Sequence, residues 1–216
     1  MLSRLAALDS CTISDALDFL GLAGATIGIR PLWNCPKIVG RAMTIQAGPK
    51  TTDKPADHLN TPAIEEGDAE TVLVIANDGR DNVSCWGDIV SNAAIAKGIR
   101  GVVIDGACRD IEASEALEFP VFGRAVVPVS ARNRIVQLSC GEPVQFANVA
   151  VRKGDYVIAD RSGIVFVPED AIGTVLELAE RIAGRQAAMV AAVRAGRSVV
   201  EVMHDREFDR IMEAGR

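Results

Sequence analysis

Long apolar runs are missing from this 216-residue chain. The longest, such as Val72–Ala76 and Gly101–Ile104, are a handful of residues. A bilayer span needs about 20, so no transmembrane helix and no membrane partner is expected. Histidine is scarce: His58 and His204 alone leave no multi-histidine metal site. Any metal would be a hard cation held by carboxylates. The five cysteines (Cys11, Cys35, Cys85, Cys108 and Cys140) are odd in number, widely spaced and contain no Cys-x-x-Cys. That argues against a zinc site or a redox pair, and they read as small buried hydrophobes in a reducing compartment. No block of five like charges occurs, and 29 acidic residues outweigh 23 basic ones. The net charge of −6 disfavours nucleic acid as a partner, because phosphate binding needs a basic stripe. In residues 1–12 one Arg precedes a short apolar stretch that Asp9 cuts off. It is too short for the apolar core of a secretion signal, and a cytoplasmic location is expected.

What is present suits a globular domain. Hydrophobic residues make up 49% of the chain, and a chain of this size hides about 70% of its unfolded surface. Disorder as the dominant state is therefore excluded. Thr12–Leu20 predicts a helix, with Thr12 or Ser14 as its cap, Ile13, Leu17 and Leu20 on one face, and Gly21 as its stop. Arg41–Ala47 reads as a strand, and residues 48–62 as a long polar loop. Thr71–Asn77 and Gly101–Asp105 read as buried strands, with a helix over Asp88–Lys97 between them. Asp110–Leu117 predicts a short helix and Pro120–Phe122 the next strand. That alternation argues for βαβ units with parallel strands. After residue 130, short strands at Val144–Val151, Tyr156–Ala159 and Gly163–Val167 suggest an antiparallel patch. Pro168-Glu169-Asp170 then opens a long helix running over about 169–195, with Val175, Leu178, Ile182 and Ala183 on one stripe. A single mixed α/β domain spanning 1–216 is the expectation.

Chemistry concentrates in residues 86–110. Gly87-Asp88 precedes a helix, so the amides of Asp88, Ile89 and Val90 point out of its N-terminus, where the dipole favours an anion. The chain returns through a strand ending near Asp105. Gly106 permits a turn, and Arg109-Asp110 emerge at the carboxyl end of a parallel strand, where ligands bind in open α/β sheets. Arg109 offers a planar fork for a carboxylate. Asp110 offers a hard oxygen for Mg²⁺ or Mn²⁺, which keep several waters and accept few protein ligands. Asp88 is placed to orient a metal-bound or reacting water. The plainer alternative makes Asp88 an N-cap and Arg109–Asp110 a surface pair.

These residues resemble the signature of the RraA-like family, which includes 4-hydroxy-4-methyl-2-oxoglutarate aldolases: an Asp, twenty residues, then Arg-Asp. Here twenty residues separate Asp88 from Arg109, and Asp110 follows. Gly87-Asp-Ile-Val90, Gly101–Gly106, Phe119–Phe122, Ile13–Leu17, Val39–Ala42, Lys153–Asp155 and Ala159–Val165 match as well, so the resemblance covers roughly residues 10–185. It implies an α/β sandwich with a mixed central sheet, assembled as a homotrimer or hexamer. It also implies metal-dependent pyruvate aldolase chemistry on a small 4-hydroxy-2-oxo acid, with decarboxylation of oxaloacetate. Carried over, Asp110 holds the divalent metal. Arg109 binds the keto-acid and stabilises developing charge, and Gly87, Asp88, Ile89 and Val90 form the carboxylate-binding helix start. Asp88 positions a water for proton transfer. An acidic residue from a neighbouring subunit's C-terminal region supports the metal waters in characterised aldolases; Glu201 is the candidate here.

Two other functions compete. The family also contains protein-binding regulators of ribonuclease E that lack the metal pair, and retention of Arg109 and Asp110 argues against that branch. A methyltransferase needs a glycine-rich nucleoside loop, and no Gly-x-Gly-x-x-Gly follows a strand. Elsewhere the readings are plain: His58 as a loop residue, Trp86 as a packing anchor, Asp105 as a strand-end turn residue, and Arg124 as a surface charge.

Overall fold

A computed structural model describes residues 1–51 and 58–203. Its centre is a mixed sheet. Strands β1 (Arg30–Pro31), β2 (Ile38–Pro49), β3 (Thr71–Ser84), β4 (Gly101–Cys108), β5 (Val121–Gly123), β6 (Ala125–Val126) and β7 (Ile135–Cys140) come first. After β8 (Val144–Phe146) and β9 (Val149–Val151) follow β10 (Tyr156–Asp160) and β11 (Gly163–Val167). The main path is β1-β5-β4-β3-β2-β10-β11. Strands β2, β3, β4 and β5 are parallel, while β1, β10, β11 and β7 run antiparallel to their neighbours. Helices α3 (Thr61–Glu66), α4 (Asp88–Ala96) and α5 (Ile111–Ala116) follow β2, β3 and β4. The β3-α4-β4 and β4-α5-β5 units are thus the expected βαβ crossovers.

Alternation along the central strands sorts side chains to two buried faces. Leu73, Ile75, Val102 and Ile104 face a core with Ile64, Val90 and Ala94 of the helices. Val72, Val74, Ala76 and Val103 face the other, closed by Phe146, Val149 and Phe166. Burial on both faces explains why these strands read as continuous apolar runs. A third core joins α1 (Leu2–Ala6), α2 (Ser10–Phe19) and α6 (Ile172–Arg194) to Val39, Tyr156, Ile158 and Val165. Along α6, Val175, Leu178 and Ile182 are buried as their spacing predicts, while Ala183 is half-buried. A four-residue helix, α7 (Val199–Val202), follows α6. No described helix is long and apolar enough to cross a membrane.

Several local expectations need correction. Asp9, not Thr12 or Ser14, caps α2: its carboxylate accepts from the Thr12 amide at 2.8 Å. Gly21 does end that helix, in the left-handed region at φ +66°. The supposed loop 48–62 begins as strand and ends as helix, since β2 reaches Pro49 and α3 starts at Thr61; residues 52–57 of that reading lie outside the described residues, as does His204. Val144–Val151 is two strands joined at a left-handed Ala147 (φ +52°). Strand β7 was not foreseen; it extends the edge of β2 past a bulge at Gln46/Ala47.

Candidate active site

Five short hydrogen bonds build the site around residues 84–88, where β3 gives way to α4. Ser84 N donates to Val129 O (2.9 Å), Cys85 N to Ala107 O (2.8 Å), and Arg109 N to Trp86 O (3.0 Å). The buried Trp86 indole donates to Ser91 Oγ at 2.8 Å and its ring stacks on Phe119. Ser91 Oγ in turn reaches Gly87 O at 3.0 Å, locking the first turn. Trp86 is the packing anchor expected.

The sequence-predicted residues converge here. Asp110 enters α5 as its N-cap in a left-handed conformation (φ +56°). That turn brings its Oδ2 back to the Asp88 amide, 3.3 Å away, and to Arg109 Nε at 3.2 Å. Both side chains stay about one-third exposed. Gly87, not Asp88, is the N-cap of α4. A Cβ on Gly87 would lie 2.7 Å from Asp110 Oδ2 and 3.2 Å from Arg109 Nε, so only glycine lets the pair approach the helix start. The amide row differs from the expectation in one respect: Asp88 Oδ1 folds back onto the Ile89 amide at 2.7 Å. The helix start is thus dressed by the carboxylates of Asp88 and Asp110, occupying donors that suit an external anion.

A cleft of about 510 Å³ opens beside this start. Gly87, Asp88, Ile89, Val90 and Arg109 line it on one side, and Lys50, His58, Asn60 and Arg132 elsewhere. Cations therefore outnumber the lining acid, Asp88, in a chain whose net charge is −6. Cys85 also lines the cleft, but burial pushes its thiol up to about 12, as it does that of Cys108. Neither is a nucleophile near neutral pH. Cys35, Cys85 and Cys108 are buried, as expected; Cys11 is exposed and Cys140 intermediate, which corrects the reading for those two.

Among the described residues no three His, Cys, Asp or Glu side chains cluster around a common point. The donor set is the pair Asp88 and Asp110, each with one oxygen engaged by an amide. Two carboxylates suit Mg²⁺ or Mn²⁺, which retain water and draw further oxygens from a ligand. Glu201 sits on α7, exposed and outside the cleft lining.

Two residues read as peripheral prove structural. Asp105 is buried, and its carboxylate takes Arg124 Nε at 2.5 Å and the Ala147 amide at 3.0 Å. Arg124 is therefore no simple surface charge. Asn60, Lys50 and Arg132 were not foreseen in the cleft; they sit in stretches of polar composition with no periodicity to mark them. His58, taken for a loop residue, lines the cleft while its Nδ1 lies 3.0 Å from Leu59 O.

A protein from Halalkalibacterium halodurans, named as a candidate 4-hydroxy-4-methyl-2-oxoglutarate aldolase, is 35% identical over 175 residues, covering 78% of this chain and 77% of its own. DlpA of Legionella pneumophila is 30% identical over 210 residues, covering 97% of this chain. The present chain spans only 34% of DlpA. Among solved structures, an uncharacterised Pseudomonas syringae protein superposes with TM-score 0.84 at 30% identity, covering 94% of this chain and 96% of that one. Streptomyces coelicolor RraAS2, a member of the RNase ES inhibitor RraA protein family, superposes with TM-score 0.81 at 26% identity, covering 90% and 97%. The sequence model of Aldolase/RraA proteins matches residues 10–166, which contain Asp88, Arg109 and Asp110, and the chain belongs to the RraA-like family.

Proposed function

We propose that the chain is a divalent-metal-dependent lyase. It would cleave 4-hydroxy-4-methyl-2-oxoglutarate or a related 4-hydroxy-2-oxo acid to pyruvate, and decarboxylate oxaloacetate. The observation that carries this reading is the meeting of Arg109, Asp110 and the α4 start across a glycine that leaves them room. The aldolase name carried by the Halalkalibacterium halodurans relative supports it.

Asp110 would hold the cation and Asp88 would orient its waters; when bound, the cation would supply Lewis acidity toward a 2-keto oxygen. Arg109 donates to that oxygen and stabilises the negative charge that grows on it as the carbon–carbon bond breaks. A rotation of Asp88 away from the Ile89 amide does two things. It frees the Ile89 amide to join that of Val90 at the substrate carboxylate, and it turns a carboxylate toward the water that takes or returns the proton. The cations Lys50 and Arg132 on the cleft wall favour a dianionic substrate. We further propose assembly as a homotrimer or hexamer in the cytoplasm.

The test is pyruvate release, coupled to a lactate dehydrogenase, from both substrates with Mg²⁺ and with a chelator. The chelator and Asp110→Ala are expected to abolish turnover. Arg109→Ala is expected to lower kcat by about 10²–10³-fold, the loss usual for a charge-stabilising donor. Turnover that survives both substitutions would remove this site from the reaction. Failure of wild-type protein on both substrates, with a protein partner retained on purification, would favour the regulator reading instead.

A further inference from the structure

Asn60 opens α3 yet does not cap it: its side chain accepts no amide of that helix, although asparagine is among the preferred caps. The side chain serves another segment instead. Its Nδ2 donates at 2.8 Å to the carbonyl of Cys85, the residue before Trp86 and Gly87. Two costs meet at this residue. Its backbone is left-handed at φ +77°, a conformation few residues other than glycine adopt. It is also 1% exposed, and its Oδ1 has no hydrogen-bond partner among the described residues, so hydration is lost there without replacement. Glycine would avoid both costs. Features of this kind gather at functional sites, where the surrounding fold holds them in place.

What asparagine supplies and glycine lacks is the donor to Cys85 O. Cys85 N also donates to Ala107 O at 2.8 Å, and Trp86 O accepts from Arg109 N at 3.0 Å. The turn at 85–87 is thus pinned by two bonds from β4 and one from Asn60. The backbone N–H of Asn60 donates in turn to Gln137 Oε1 at 3.1 Å, and Gln137 follows Ile135 and Val136 of the cleft lining. We propose that Asn60 is a positioning residue for the site: it braces the turn at 85–87 against the β7 wall, so that Gly87 and the α4 start stay seated against Arg109 and Asp110. Asn60 acts through that turn and not on the reacting atoms. Its part in the reaction rests on the lyase reading above; the brace itself rests on the hydrogen bonds alone.

The test reads the brace and the reaction separately, on the full chain. Asn60→Gly accepts the left-handed backbone and removes only the side chain. Without ligand, the Arg109 amide is expected to exchange at least about tenfold faster in this variant by NMR, with the amides of α6 unchanged. With Mg²⁺ and a substrate that wild type turns over, kcat is expected to fall about tenfold and KM to change by less than about threefold. Asn60→Asp keeps the shape but has a donor for Cys85 O only when protonated, and burial raises its pKa. Its kcat relative to wild type is expected to climb toward one as pH is lowered from about 9 to about 6, while that of Asn60→Gly stays level. Unchanged exchange at Arg109 overturns the proposal. So does a wild-type kcat in Asn60→Gly, or a low ratio for Asn60→Asp at every pH. Should Asn60→Gly not fold, the pH profile of Asn60→Asp decides. Faster exchange in the variant of a protein whose wild type releases no pyruvate keeps the brace and discards the lyase reading.

Discussion

Gly87 concentrates the residue-scale argument. Its φ of −164° is ordinary extended backbone, so the demand for glycine is one of space: any Cβ would press on Asp110 Oδ2 and on Arg109 Nε and Cγ. Gly87→Ala is expected to displace this pair by a few tenths of an ångström or more. Misplacement near 1 Å costs about 10²-fold in rate, so we expect kcat/KM to fall at least about tenfold while the melting temperature moves by a few degrees at most. Parallel kinetics and thermal melts check this, and an unimpaired variant would show that the close approach is dispensable. The residues of this locus were legible because they are local: a glycine before a helix, and an Arg-Asp after a strand. Asp105 was not, because its partner Arg124 stands nineteen residues on and reaches it only through the turn after β5. Removing either partner would leave the other without its counter-charge, Asp105 in a setting where an unpaired charge is costly.

At the scale of elements, the start of α2 is tied to the β10–β11 hairpin through Asp160. Its carboxylate accepts from Ser10 N at 2.8 Å, Ser10 Oγ at 2.7 Å and Ser162 N at 2.9 Å. Burial alone would raise its pKa, but these bonds outweigh burial and hold it below the usual carboxylate range. A depressed folded-state pKa stabilises the fold above the unfolded value and loses that contribution as pH falls through the folded one. Asp160→Asn is expected to cost roughly 1–3 kcal/mol at neutral pH, with the gap to wild type closing below about pH 4. Urea melts at the two pH values measure it, and a gap independent of pH would refute the assignment. The neighbouring Asp155 shows the opposite sign, since burial raises its pKa despite amide bonds from Arg152 and Glu169. The hairpin at Ala147 was hidden for a related reason. No turn residue marks position 147; its left-handed alanine is held by the buried Asp105 carboxylate.

At the scale of the whole molecule, the cleft lies at the carboxyl end of β3 and β4, where the parallel strands hand over to α4 and α5. Ile89 at its mouth is 76% exposed, and Leu138 on β7 is 61% exposed. Neighbouring subunits would cover such side chains in the trimer proposed above. Light scattering is expected to give three or six times the 22.9 kDa chain mass. A monomeric mass would remove the trimer from the proposal and leave both residues facing water.

What the amino-acid order determined on its own was the mixed α/β class, the βαβ units, the glycine-led start of α4 and the Asp88-to-Arg109 spacing. The first three are written in contacts between near neighbours (alternation along a strand, a helical stripe, a stop at glycine), and the last is read directly as a distance along the chain. What only the tertiary structure decided were the Asp105–Arg124 pair, the edge strand β7, the cationic wall of Lys50 and Arg132, and the buried Asn60. Those depend on segments tens of residues apart meeting at one sheet end. Their free energies come from burial and from the loss of water around polar groups, and a local pattern of residues carries no record of either.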